Sequence, residues 1–386
     1  MVTVNSAENA LKSVYLGAVT ELLNTKVNPL MSKIEQTSAD VWGKEVRKAV
    51  SLGINGGIGA GDEDGALPKA HGTGYLQFVS TLKNLFGQIE ISDKAIRASA
   101  NDKGAFTDLL NAELDGLLKA SKFNLGRMLY GDGTGKLSEI GLVSGSSNEV
   151  GVNDTRNLVP GLVVDIYANS STVRGTGIVI ESVDYEGLKV TLSSAPEGLA
   201  TGDQIYVQGS RGKEITGLAA IFDTSKSLYG VDRSASPLLK PYSRANVGDI
   251  TETVIQEAID VLETRAGSTI DFIAVDEVSK YAFMEYMSQY KRNIDVMELT
   301  GGFRSMSFNG VPLVYDRFVP KGTMYLLDTS VFHLHRLCDW RFLETENGNV
   351  LRQNQGYPTY TATLVKYCEL MCDRPNGQGK LSGITG

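Results

Sequence analysis

Residues 52–74 read LGINGGIGAGDEDGALPKAHGTG, with eight glycines from Gly53 to Gly74 and three consecutive acids, Asp62, Glu63 and Asp64. A glycine-rich run can cradle a phosphate on its backbone N–H groups, so that is the first chemistry to weigh. A dinucleotide fingerprint needs a strand, then GxGxxG, then a helix whose N-terminus meets the pyrophosphate. Gly57, Gly59 and Gly61 give only GxGxG, followed by acids that would repel a pyrophosphate and by a proline-containing stretch. The Gly-Lys pairs at 43–44, 135–136, 212–213 and 379–380 lack the glycine spacing and the Ser/Thr of a P-loop. The segment reads instead as a mobile tip.

Other candidates fail on ligand chemistry. In LYGDGTGKLSEIG (129–141), Asp132 stands where a calcium loop has its first ligand, but Thr134 and Lys136 follow at the next ligand positions. A lysine ammonium in the coordination ring opposes a cation. His333 and His335 share one face of an expected strand with Cys338 close by, yet no fourth zinc ligand is evident, and core or interface histidines are expected. Cys368 and Cys372 are not spaced as CxxC and read as buried hydrophobes. There is no GxSxG elbow and no HExxH, and of three histidines His71 lies in the tip, a poor platform for a base. No catalytic, cofactor-binding or metal-ligating residue is assigned, and the chain is not expected to be an enzyme.

Composition narrows the classes further. The 386 residues are 42% hydrophobic and 21% charged, enough for two or three cores. No apolar run of about 18 residues suggests a membrane span, and the N-terminus lacks a secretory pattern. Three cysteines suit a reducing cytosol. A net charge of −8 argues against gripping nucleic acid through its phosphates.

The elements that hold these residues follow from periodicity. Residues 5–36 carry helical spacing through Leu11, Val14, Tyr15, Ala18, Leu22 and Leu23, interrupted at Pro29. Val46, Val50, Leu52 and Ile54 alternate with mostly polar neighbours, as do Leu76, Phe78 and Leu82 beyond the glycines; the two runs predict a long β-hairpin. Residues 104–130 form the strongest helix, roughly 40 Å long, with Gly131 as its C-terminal cap. Short strands separated by turns over 155–210 predict a small β module, a barrel set between helical segments. The rest is mixed: a helix opened by an Asp249–Glu252 capping box and closed at Gly267, a buried strand TIDFIAVD, a second helix, a strand pair, and a long apolar strand TYTATLVKYCELMCD. An isolated two-stranded ribbon is marginal, so this one is expected to lie across a neighbouring copy.

This order of parts resembles the major capsid proteins of tailed bacteriophages, the Hong Kong 97-type shell fold, an α+β architecture. The resemblance covers nearly the whole chain. Its most specific piece is QIEISDKAIRASANDKGAFTDLLNAELDGLLKASKFNLGRMLYGDGTG, similar to the family's approach strand, spine helix and glycine-rich stop. It implies an N-terminal arm over 1–43, an extended loop and approach strand over 44–92, and a peripheral domain with the spine helix over 93–149. An inserted β-rich domain at 150–212, an axial domain at 213–340 and a peripheral return strand at 341–386 complete it.

The function implied is a structural major capsid protein that self-assembles as hexamers and pentamers into an icosahedral head enclosing phage double-stranded DNA, without sequence-specific binding. Scaffolding and portal proteins are implied partners, with a decoration protein a further candidate, and the location is the virion, assembled in the host bacterial cytoplasm. Val46, Val50, Leu52, Ile54, Lys69, Leu76 and Phe78 are the expected inter-subunit contacts. Some relatives crosslink a loop lysine to a neighbour's asparagine; Lys69 and Asn376 are conceivable partners that nothing in the sequence brings together. The alternatives are an encapsulin-like nanocompartment shell and, from the glycine signal alone, a nucleotide-binding α/β enzyme.

Overall fold

The computed structural model describes residues 22–23, 28–94, 103–143, 148–168, 172–290, 296–299, 303–345 and 348–385. Most of the expected arm helix, with Leu11, Val14, Tyr15 and Ala18, lies outside them. The helical spacing does not run on to residue 36, because Glu35–Thr37 is a strand.

The first sheet is built round the strand Thr359–Cys372, whose second half is almost wholly buried. It pairs antiparallel with Phe332–Phe342 on one side and with Lys83–Ser92 on the other. Glu35–Thr37 adds a parallel strand beyond Phe332–Phe342. The long helix, Lys103–Tyr130, crosses this sheet. Gly87 marks the crossing, since a Cβ there would stand 2.7 Å from the Leu117 side chain and force it to shift. Leu114, Leu125, Met128 and Leu129 are buried, so the apolar stripe turns inward; the side chains of Phe106, Leu109 and Leu110 lie outside the described residues. Gly131 ends the helix without a left-handed turn; Gly133 and Gly135 are the residues at positive φ.

The second sheet has seven strands and a separate core. Phe272–Val275, buried at every position, sits between Val311–Tyr315 and Thr323–Leu327. Helices Glu252–Ala266 and Glu277–Tyr290 supply Ile255, Leu262, Phe283 and Met287 to that core. The first of these helices is capped by Thr251, whose hydroxyl accepts from Val254 N, and not by the expected Asp249–Glu252 box. Asp249 is occupied elsewhere, in a two-residue strand beside Ile384–Thr385. Gly267 closes the helix at φ +59°, the left-handed conformation that glycine tolerates best.

A closed six-stranded barrel stands between the long helix and the second sheet in the chain. It begins at Lys136–Val143, ahead of the expected boundary at 150, and ends at Gln204–Val207. Its first and last strands pair antiparallel, so the chain leaves beside where it came in, and Gly212 N donates to Thr134 O at 2.7 Å. Two further expected boundaries differ. Phe332–Phe342, assigned to the axial part, belongs to the first sheet, whereas Gly379–Ser382, assigned to the return strand, pairs with Thr323–Leu327 in the second.

Candidate assembly surface

The two alternating runs pair as an eight-residue antiparallel ladder, from Glu45 opposite Thr81 to Leu52 opposite Gly74. At about 3.4 Å per residue the ladder extends roughly 25 Å from base to end. Period-two geometry puts Val46, Lys48 and Val50 on one face with Leu76 and Phe78. That face is turned toward the protein's own body. Val46 and Phe78 are 0% and 1% exposed within the main core, and Val50 and Leu76 pack against it. Val46 and Phe78 are therefore not free to meet a neighbour as expected, whereas Val50 and Leu76 keep part of their surface exposed. The physical reason is a seat on the body that local sequence does not display.

That seat is polar as well as apolar. The Phe78 ring lies 5.3 Å from that of Tyr229, and Val79 N donates to Tyr229 O at 2.9 Å. The Tyr229 hydroxyl donates to Leu370 O and accepts from Cys372 N, and burial raises its pKa against the bond from Cys372 N, keeping the phenol protonated. Lys48 Nζ reaches Asp373 at 2.6 Å, and His333 Nε2 lies 3.2 Å from the same carboxylate. Burial opposes ionisation of Asp373, yet the bonds from His333 and Lys48 prevail and hold its pKa below the ordinary value. His333 also faces Glu35 at 3.5 Å, while His335 is buried with Nδ1 2.9 Å from Ala39 O and its pKa lowered by burial. The histidine pair thus seats the hairpin and the Glu35–Thr37 strand.

Beyond the ladder the arrangement changes. Residues 53–72 are exposed almost throughout, and Ile54, Ile58 and Leu67 are 80%, 76% and 88% exposed. Lys69 is exposed, and the side chain of Leu52 is outside the described residues. The two limbs still run side by side: a Cβ on Gly57 would meet His71 N at 3.3 Å, one on Gly59 would meet Pro68 at 3.2 Å, and one on Gly61 would meet Ala66 O at 3.7 Å. They turn at Asp62–Gly65, where Gly65 N donates to Asp62 O. Among the tip glycines only Gly53 has positive φ, and close approach of the limbs explains Gly57 and Gly59. Trp42 and Tyr75, 70% and 67% exposed, flank the ladder's two ends.

The remaining candidates occupy structural roles. Asp132 Oδ1 accepts from Thr134 N and its hydroxyl in a turn, and Lys136 pairs with Glu139 at 3.1 Å. Cys368 and Cys372 are buried and free, with burial pushing the Cys368 thiol up to about 12. Asn376 is 4% exposed inside its own chain, which removes it as a crosslinking partner for Lys69 on a neighbour. Among the described residues no group of three or more His, Cys, Asp or Glu is placed to hold a metal, and no helix is long and apolar enough to cross a membrane.

No family model matches the chain, and no curated protein does. Among solved structures it is similar to a chain of the cyanophage A-1(L) capsid asymmetric unit, at 12% identity and TM-score 0.56, covering 93% of this chain and 94% of that one. A satellite phage P4 procapsid chain (9% identity, TM-score 0.45, 96% and 99% covered) and a holo-encapsulin chain from Synechococcus elongatus (12%, 0.45, 93% and 89%) also match. The likeness to the cyanophage chain spans nearly all of both molecules. It gives this protein a mixed α+β fold of the Hong Kong 97 capsid type.

Proposed function

We propose that this protein is a structural shell subunit of a phage head, self-associating as hexamers and pentamers round packaged double-stranded DNA. The observation that carries the reading is the hairpin: seated on its own body at the base, it holds a glycine-rich tip with exposed apolar side chains that none of the described residues covers. Large apolar groups displayed together in this way mark an interaction surface. The long helix, the barrel and the extended hairpin take the parts of spine, inserted domain and overlapping loop in this reading. The net charge of −8 suits a wall that must not adhere to the DNA inside it. No substrate site competes with this role among the clusters described above. Scaffolding and portal proteins, and assembly in the host cytoplasm, belong to the same proposal.

Removing residues 54–72 tests it. The shortened chain is expected to keep its helical circular dichroism and its unfolding midpoint, because the deleted residues bury almost nothing. It is expected to stop at single subunits or capsomers by gel filtration, where the intact chain forms shells seen by electron microscopy. Shells of normal appearance from the shortened chain would refute the role given to the tip.

A further inference from the structure

A groove of about 620 Å³ opens at the foot of the hairpin, the size of a small-molecule site and too small for a nucleic-acid duplex. Its floor is the start of the approach strand, Leu82–Phe86; one wall is the long helix between Ser121 and Met128, the other the segment 207–214 leaving the barrel. Leu85, Leu125 and Met128 give it an apolar base. Phe86, 61% exposed and set edge-to-face against Tyr367, adds an aromatic ring open to solvent. Lys83 and Lys213 line it, and among the described residues neither has a carboxylate within ion-pair distance. The acid in the lining, Glu214, is tied by a two-pronged bond from Arg127 at 2.5 and 2.9 Å. In a chain of net charge −8 the groove is therefore locally positive.

Each feature asks for a different part of one ligand. The two ammonium groups ask for an anionic head, which charge-assisted hydrogen bonds hold most strongly. The open ring asks for a flat partner to stack on it, as a nucleobase does whatever its identity. Asn84, Asn124 and Gln208 bring amides to the lining, and Ser121 and Ser210 bring hydroxyls. A hydrocarbon tail would leave these groups unpaired, whereas the polar edge of a base satisfies them. The lining thus selects a phosphorylated aromatic over a lipid. We infer that this groove binds a single nucleotide unit, with Lys83 and Lys213 on its phosphate and Phe86 against its base. A duplex keeps its bases stacked inside and cannot present one, so the unit comes either as a free mononucleotide or from a single strand. The groove is a binding site and not a reaction centre, because the acid in its lining is held by Arg127. It goes beyond the shell reading and does not depend on it, since three elements of one chain complete it.

Equilibrium dialysis of the full-length chain against thymidine monophosphate at low salt tests the site, and saturable binding is expected. Lys213→Gln and Phe86→Ala, both at exposed positions and so expected to keep the native circular dichroism, should each weaken binding about tenfold. The first loses a phosphate contact and the second the stacking surface. Lys189→Gln, on the barrel where Lys189 pairs with Glu149, should leave binding unchanged. Inorganic phosphate should compete about a hundredfold less well than the nucleotide, since it brings no base. A thymidine tetranucleotide that binds more than about tenfold tighter than the monophosphate would identify a single strand as the source, and equal affinity a free nucleotide. Absence of saturable binding would overturn the inference. So would an equal loss from Lys213→Gln and Lys189→Gln, or inorganic phosphate competing as well as the nucleotide. Any of these results could be obtained from a chain that forms normal shells. Binding by a chain that never assembles would uphold the groove and leave the shell reading to fail alone.

Discussion

Glu369 is fully buried, and its two carboxyl oxygens have unequal surroundings. Oε1 accepts from Thr216 N at 2.6 Å and from Leu370 N at 3.2 Å, while Oε2 meets no hydrogen-bond partner among the described residues. Burial raises its pKa to about 7, against the bonds from Thr216 and the charge of Lys83. An acid whose folded pKa lies above its unfolded value keeps its proton longer when folded, so the stability Glu369 contributes is fully present below pH 4.5 and is lost as pH rises toward 7. The shift amounts to about 3 kcal/mol. Glu369→Gln is therefore expected to flatten the decline in urea-unfolding free energy between pH 4.5 and 7; an unchanged decline would contradict this account. Arg127 and Glu214 behave oppositely, because each compensates the other at 3% and 2% exposure. Arg127→Met should cost about 3–5 kcal/mol by leaving a buried carboxylate unpaired, and adding Glu214→Leu should recover most of that in the same urea titration. Neither pair was legible beforehand. Arg127 and Glu214 are 87 residues apart, and nothing in a one-dimensional pattern says which acid and base will meet in a core.

At the scale of elements, legibility followed period and interruption. The ladder could be read from alternation on either side of the glycines, and the long helix from its repeating leucines. Which face of the ribbon would be buried could not, since alternation marks an apolar face without saying what covers it. Lys48 obscured the matter further: it lies on the inward face, yet its ammonium leaves the apolar seat to meet Asp373. The expected capping box failed for a similar reason, because the strand pairing of Asp249 with a residue near the C-terminus outranked a local cap worth about 1 kcal/mol. Asp373 joins three elements, taking Lys48 from the hairpin and His333 from the strand that also carries Glu35–Thr37. Its pKa is depressed, so the stabilisation it supplies is present above pH 3.8 and is lost as pH falls through the lower folded value. Asp373→Asn is expected to speed amide exchange over 45–52 and 74–81 roughly fivefold, equivalent to about 1 kcal/mol, without altering exchange in Phe272–Val275. Equal acceleration in both regions would mean that the carboxylate supports the whole fold and not the hairpin's seat.

At the scale of the whole molecule, the described residues form three hydrophobic clusters, and the barrel owns one of them. Leu137, Ile140, Val164, Ile166, Ile180 and Ile205 pack together inside it, apart from the two clusters that fill the sheets. A closed barrel exposes no strand edge and so makes no demand on its surroundings for backbone pairing. Its attachments to the body include Arg317, which donates to Arg156 O while stacking on Phe123 and Phe318, and Arg127, which holds Glu214 on the segment leaving the barrel. Because the first and last barrel strands are neighbours and Thr134 is bonded to Gly212, the chain on either side of the barrel is already joined in space. Replacing residues 136–206 by two glycines should therefore leave a chain that folds cooperatively, with both sheets intact by circular dichroism and one sharp urea transition. Some loss of stability is expected, because Arg317 gives up its bond to Arg156 and the half-buried ring of Phe123 gains solvent. The barrel alone, 136–207, should fold as a monomer, though at roughly 70 residues its margin will be small. If the excised body precipitates or unfolds without cooperativity while the barrel alone is soluble, the barrel is a structural keystone of the fold and not an insertion.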